Sequence, residues 1–209
     1  VTPSFVTGAV DFDGTGDYLS LADDSDLQPG SGDFTFEAWI NPDSWDSSVY
    51  EGIYVTGGTN GIWLGNSSGN WIVRAFNVTN YISVPNISTH IPTGQWTHVA
   101  VTREGTNLRL FFNGVLQSTV TNDKDFSSNA PQAIASDGYG AQFNGKISNL
   151  RFVKGTAVYT SAFTPSTEPL TIITNTKLLC CNKHTVTGSS ITPTTISTNG
   201  NPLMKSGPF

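Results

Sequence analysis

The chain carries little charge. Of its 209 residues, 12% are Asp, Glu, Lys or Arg, about half the roughly 25% of an average soluble domain. The formal balance is −6 and no cluster of Lys or Arg occurs. Binding along a phosphate backbone needs such clusters, so no nucleic-acid partner is expected. Long apolar runs are lacking as well. Nothing approaches the roughly 20 residues that cross a bilayer, and no charged-then-apolar segment opens the chain, so no membrane insertion is expected. Cysteine is scarce: two residues, adjacent at Cys180-Cys181. Neighbours in a strand point to opposite faces, which makes an ordinary disulfide between them poor geometry. Two buried free thiols are the expectation. Glutamate is scarce too, and Glu37, Glu51, Glu104 and Glu168 are widely dispersed. A retaining glycosidase needs two carboxylates about 5–5.5 Å apart, commonly on alternate residues of one strand. Asp11 and Asp13 have that spacing, but Asp13 opens an Asp-Gly turn. No catalytic residue is assigned.

Thr, Ser, Asn and Gly fill the space left by charge, a composition suited to strands with short turns. Phe34, Phe36, Ala38 and Ile40 alternate with Thr35, Glu37, Trp39 and Asn41, which sets a wholly apolar face against a mixed one. The stretch from Trp96 to Thr102 alternates less cleanly and reads as a central strand covered on both sides. Asn113-Gly114 is a strong two-residue hairpin signal, because both residues tolerate positive φ. Thr156–Phe163 is compatible with a single helical turn. About a dozen strands in two packed antiparallel sheets are expected.

Five segments carry a closer likeness. In order they are Val10-Asp11-Phe12-Asp13-Gly14-Thr15-Gly16-Asp17-Tyr18-Leu19, Phe34–Ile40, Trp96–Val101, Leu110–Val115 and Phe143–Phe152. As a set this resembles the laminin-G-like and pentraxin-like branch of the concanavalin-A-like lectin sandwiches, over roughly residues 9–155. The resemblance implies an all-β, two-sheet antiparallel jelly roll. A narrower likeness follows in Tyr159-Thr160-Ser161-Ala162-Phe163-Thr164-Pro165 and Leu178-Leu179-Cys180, which is similar to modules on phage tail or fibre proteins. It implies a virion-surface or extracellular location. Residues 1–165 are expected to form the sandwich. Residues 166–209 then form an extension in which 177–181 pack back as one strand and the remainder is linker-like. The opening on Val1 fits a piece of something longer. The close Ser206-Gly207-Pro208-Phe209 also rhymes with Thr2-Pro3-Ser4-Phe5, as modules in tandem would.

The resemblance directs attention to two loops. Pentraxins hold calcium with an Asp-Asn pair in one loop and an acidic cluster in a later one. Here the first corresponds to Gly57–Gly61, where Asn60 matches and Thr59 replaces the Asp. The second corresponds to Ala135–Gly138, where Asp137 matches alone. Calcium, if bound at all, would rest on Asn60 and Asp137, one amide and one carboxylate where six to eight oxygens are wanted. Sugar recognition uses flat aromatic faces. The candidates in loops or at strand ends are Trp45, Tyr50, Tyr54, Trp63, Trp71, Tyr81 and Tyr139, whereas Trp39 and Trp96 read as core. Tyr139 is the best of these, because its neighbours Gly138 and Gly140 are too small to cover it. The ligand-binding set is therefore Tyr139, Asn60, Trp63 and Asp137. His90, His98 and His184 lack zinc-ligand spacing, and His98 reads as a packed, hydrogen-bonded histidine. Glycosylation sequons stand at Asn66, Asn77 and Asn86.

The reading is a non-catalytic surface module whose partner is a glycan or host-surface polymer. The alternative is a decoration or assembly module that contacts copies of itself, as a homo-oligomer, or other virion proteins. A glycoside hydrolase is the second alternative.

Overall fold

The alternation read along Phe34–Pro42 organises the whole molecule. In the computed structural model, which describes residues 7–58, 60–75 and 80–209, the described residues form sixteen strands. Thr2–Phe5, Thr59 and Asn77 lie outside the described residues. In chain order the strands are β1 (Gly8–Asp13), β2 (Tyr18–Leu21), β3 (Phe34–Pro42), β4 (Tyr50–Thr56), β5 (Ile62–Ser67), β6 (Asn70–Ala75), β7 (Asn80–Val84) and β8 (Thr97–Glu104). They continue with β9 (Asn107–Phe112), β10 (Val115–Thr121), β11 (Gln132–Ile134), β12 (Asn144–Lys154), β13 (Thr176–Cys180), β14 (Ser189–Ile191), β15 (Ile196–Asn199) and β16 (Leu203–Ser206). A nine-stranded sheet runs β10-β9-β8-β3-β12-β1-β16, with β13 on β12 and β14 on β13. A seven-stranded sheet runs β15-β2-β11-β4-β5-β6-β7, and every pairing is antiparallel. The two-sheet jelly-roll sandwich stands. No described helix is long and apolar enough to cross a membrane.

Phe34, Phe36, Ala38 and Ile40 enter the core between the sheets, each at most 1% exposed. Phe36 and Phe152 of the larger sheet meet Tyr54 of the smaller one, with ring centroids 5.1 and 6.3 Å away. Each such ring contributes about 1.5–3 kcal/mol by leaving water. Tyr54 is buried, and its hydroxyl donates to the Leu27 carbonyl at 3.0 Å, so the burial strands no polar group. The Asn113-Gly114 turn takes φ of 47° and 76° and joins β9 to β10 as expected.

The other face of β3 is not left to water. The segment from Thr156 to Leu170 lies across it as a strap without a helical turn, contrary to the expectation for Thr156–Phe163. Thr35 Oγ1 donates to the Thr156 carbonyl and accepts from the Val158 amide, and Thr102 Oγ1 donates to the Tyr159 carbonyl. Beneath the strap Glu37 is fully buried. Its Oε1 accepts from Arg151 Nε and Nη2 at 2.9 and 2.6 Å, and its Oε2 lies 3.0 Å from His98 Nε2 and 2.9 Å from the Tyr159 hydroxyl. Burial works against the Glu37 charge, but the His98 hydrogen bond and the Arg151 guanidinium outweigh it and hold the carboxyl below its usual range. His98 is thus the packed, hydrogen-bonded residue that the sequence indicated.

Three further findings correct the sequence reading. Residues 166–209 are not one strand and a linker: β14, β15 and β16 follow β13, β15 completes the edge of the smaller sheet on β2, and β16 pairs with β1. These strands are three or four residues long and mostly polar, so their pattern carries no periodic signal. Trp39 and Trp96 are not core: both are half-buried on the outer side of the larger sheet. Tyr54 and Trp71, read as loop or strand-end aromatics, are buried within β4 and β6. Cys180 and Cys181 are buried and free, with sulfurs 3.8 Å apart.

Candidate functional site

The two loops picked out by the sequence line one cavity. The turn joining β4 to β5 and the loop from Ser136 to Gln142 border a hollow of about 460 Å³, floored by Tyr18 and Ser20 of β2 and Val55 of β4. That volume lies within the usual range for small-ligand sites, about 300–1,000 Å³. Among the described residues none that lines it is charged.

The loop is built around Asp137, which is 7% exposed. Its Oδ1 accepts the backbone N–H groups of Tyr139, Gly140 and Ala141 at 2.7, 3.0 and 3.0 Å, while its own N–H donates to the Ala141 carbonyl at 2.9 Å. Gly138 and Gly140 take φ of 82° and 124°, which a side chain would resist. Behind the loop, a Cβ on Gly52 would come within 2.2 Å of the Ser136 carbonyl, so only glycine permits this approach. The result is a tightly fastened loop presenting Tyr139, 73% exposed, over the cavity. Gln142 Oε1 accepts from the Gly16 amide at 3.1 Å, which ties the far wall to the β1–β2 turn.

The expected residues do not all gather here. Tyr139 lines the cavity and Asp137 braces it from behind. Asn60 sits exposed in the facing turn and is not part of the lining. Trp63 is misplaced by the sequence reading: it lies inside β5, fully buried with Val55 and Ile72. The Arg74 guanidinium stands 5.0 Å from its ring centroid and 4.7 Å from that of Tyr50. Burial withdraws its face from any ligand. Tyr18, Ser20 and Gln142 were missed. The alternation Tyr18-Leu19-Ser20-Leu21 does carry the signal, since Leu19 and Leu21 are buried and the residues between them face outward.

A second hollow of about 380 Å³ adjoins the first and shares Gly140 and Gln142 with it. Asp13, Asp46 and Glu51 line it. Burial pushes the Glu51 carboxyl up to about 7, against the opposing pull of the Asn66 side chain and the Asp46 amide. Its Oε2 accepts from both, at 2.6 and 3.1 Å. The neighbouring carboxylates shape turns: Asp13 Oδ1 accepts the Thr15 amide and Asp46 Oδ1 accepts the Ser48 amide. Among the described residues no group of three or more His, Cys, Asp and Glu is placed to hold a metal ion. Asn66 is buried in this network, so its sequon is closed in the fold, whereas Asn86 is exposed.

No protein of curated function matches the sequence. Among solved structures, a candidate carbohydrate binding protein from Bacteroides ovatus superposes with a TM-score of 0.68 at 18% identity, covering 98% of this chain and 61% of that one. The chain thus spans less than two thirds of that structure's length. A heptameric SAP-like pentraxin from Limulus polyphemus gives 0.62 at 17% identity, covering 95% and 94% of the two chains. Domain 4 of AbnA, an extracellular arabinanase of Geobacillus stearothermophilus, in complex with arabinotriose, gives 0.57 at 21% identity and covers 72% of each. At these identities the likeness is one of fold. The family profile described as concanavalin A-like lectin/glucanases matches residues 13–167, most of the sandwich, and the chain belongs to that superfamily.

Proposed function

We propose that the chain is a non-catalytic glycan-binding module, seating a sugar residue in the cavity between the β4–β5 turn and the Ser136–Gln142 loop. The observation that carries this reading is Tyr139, an exposed ring held on a fastened loop beside an uncharged hollow. A flat aromatic face suits the apolar side of a pyranose, and the Ser20 hydroxyl and Gln142 amide suit its hydroxyls. The superfamily and the carbohydrate-bound relative support the ligand class. Calcium is not needed for this proposal, and the donor set fits the ion poorly, since Asp137 Oδ1 already accepts three amides. The setting we infer is an extracellular or virion surface. The Tyr159–Pro165 and Leu178–Cys180 segments support the virion within that pair. A glycan array followed by calorimetry tests the proposal. Binding in the micromolar-to-millimolar range that Tyr139→Ala removes is the expected result. No binding to any surface polysaccharide of the natural host overturns it.

A second reading has one observation in its favour. Edge strand β10 exposes Val115 and Leu116, 59% and 42%, as a strand awaiting a neighbouring copy would. Light scattering decides it: self-association abolished by Leu116→Lys favours an assembly module, and a monodisperse monomer removes it.

A further inference from the structure

The two tryptophans expected in the core instead border a groove of about 390 Å³ on the outer side of the larger sheet, opposite the Tyr139 cavity. Trp39 points outward because it alternates with the inward Ala38 and Ile40. Phe209 meets the Trp39 ring edge-on at 5.6 Å, and Trp96 lies at the entry to β8. Pro165 and Pro208 also line it, and its polar side chains are Asn113, Ser166 and Thr167. Among the described residues no Asp, Glu, Lys, Arg or His side chain takes part.

From this groove we infer a second carbohydrate site, one that takes the apolar face of an uncharged sugar residue. Of its polar groups Asn113 and Ser166 are held in place, the Ser166 hydroxyl by donating to the Glu168 carbonyl at 2.8 Å and accepting the Glu168 amide at 3.1 Å. Asn113 Oδ1 accepts the His98 amide at 2.9 Å, and the Asn113 amide donates to the His98 carbonyl at 2.8 Å. The Asn113 side chain is exposed, and with its oxygen accepting from a backbone donor its NH₂ is the group left to donate to a ligand. The Trp39 indole N–H is buried and has no hydrogen-bond partner among the described residues, so it is the ring and not this donor that the groove offers. A charged ligand would find no counter-ion among these side chains. A protein partner would need roughly 20–30 residues a side for a stable interface, and this groove supplies eight. Indole rings with the Asn113 amide and the Thr167 hydroxyl suit one ring of a neutral polysaccharide. The site rests on its own residues and does not depend on the Tyr139 cavity. With both filled, the module would grip polymer on two opposite faces, and the second contact would raise avidity with no change at the first.

The test uses the full chain carrying Tyr139→Ala, which silences the first cavity. Cellohexaose, laminarihexaose, xylohexaose and arabinotriose are titrated against tryptophan fluorescence, with a hexagalacturonate as the charged comparison. At least one neutral oligosaccharide is expected to shift the emission, and the charged one is not. Trp96→Ala should weaken that response about tenfold or more, as loss of a buried aromatic anchor does. Thr167→Arg, at an exposed position that crowds the groove and leaves the core alone, should weaken it similarly with an unchanged thermal midpoint. The inference is overturned if no neutral sugar shifts the emission, if Thr167→Arg leaves the response intact, or if a proline-rich peptide or a second copy occupies the groove instead. Failure of the Tyr139 reading is registered separately, by wild-type array signals that Tyr139→Ala does not change.

Discussion

Asp137 Oδ1 lies 2.7 Å from the backbone nitrogen of Tyr139, so the acid that sequence likeness marked as a metal ligand fastens the loop that carries the exposed ring. Asp137→Ala leaves three amides without their acceptor, and a hydrogen bond to a charged group is worth about 1.5–3 kcal/mol. The loop should loosen and glycan affinity should fall about tenfold or more, because ordering the loop must then come out of the binding energy. Calorimetry in EDTA and in calcium should give the same affinity. A calcium-dependent affinity would return Asp137 to the ligand role.

Glu51 should make stability depend on pH. Its carboxyl is raised to about 7 in the fold, from a reference of 4.5. Between these values the folded state holds a proton that the unfolded chain has released, so stability is full below the lower value and falls as pH rises through the upper one. Glu51→Gln should therefore be more stable than the parent at pH 8 and close to it at pH 4.5. Urea unfolding at the two pH values measures the difference.

The network under the strap behaves in the opposite sense. Glu37 is held below its usual range, so its contribution is present above the unfolded value and is lost as pH falls through the folded one. Arg151→Met removes the guanidinium from a fully buried carboxylate and should cost about 3–5 kcal/mol. Replacing Glu37 and Arg151 together by Leu and Met should cost less than the single change. Denaturant midpoints of the three proteins check this.

Gly114→Ala should detach the strap from the hairpin. The glycine has φ of 76°, and a Cβ there would meet the Phe163 carbonyl at 1.8 Å. The Phe163 amide, which donates to the Gly114 carbonyl at 3.0 Å, would lose its acceptor as the two segments separate. A lower thermal midpoint and faster proteolysis between Thr156 and Leu170 are expected, while the Tyr139 cavity on the opposite sheet keeps its affinity.

The amphipathic strand Phe34–Ile40, the turn at Asn113-Gly114 and the exposed Tyr139 between glycines were all legible, because each is set by residues within one strand or one turn. Trp63 and Trp96 were not. Whether an indole in a strand is covered depends on what lies over that face, and local pattern does not report it. Trp63 is closed in with Val55 and Ile72, while Trp96 is left half-bare at a groove.

Sequence alone indicated the two-layer sandwich: alternating apolar residues need a covering layer, and a composition suited to strands rather than helices leaves a second sheet to supply it. Tertiary structure decided the rest. Strands β14 to β16 exist because β13, β2 and β1 offer them unpaired backbone, and the polar side of β3 is dry because a distant strap hydrogen-bonds across it. Both hollows arise in the same way, from segments far apart in the chain whose meeting depends on how the sheets close.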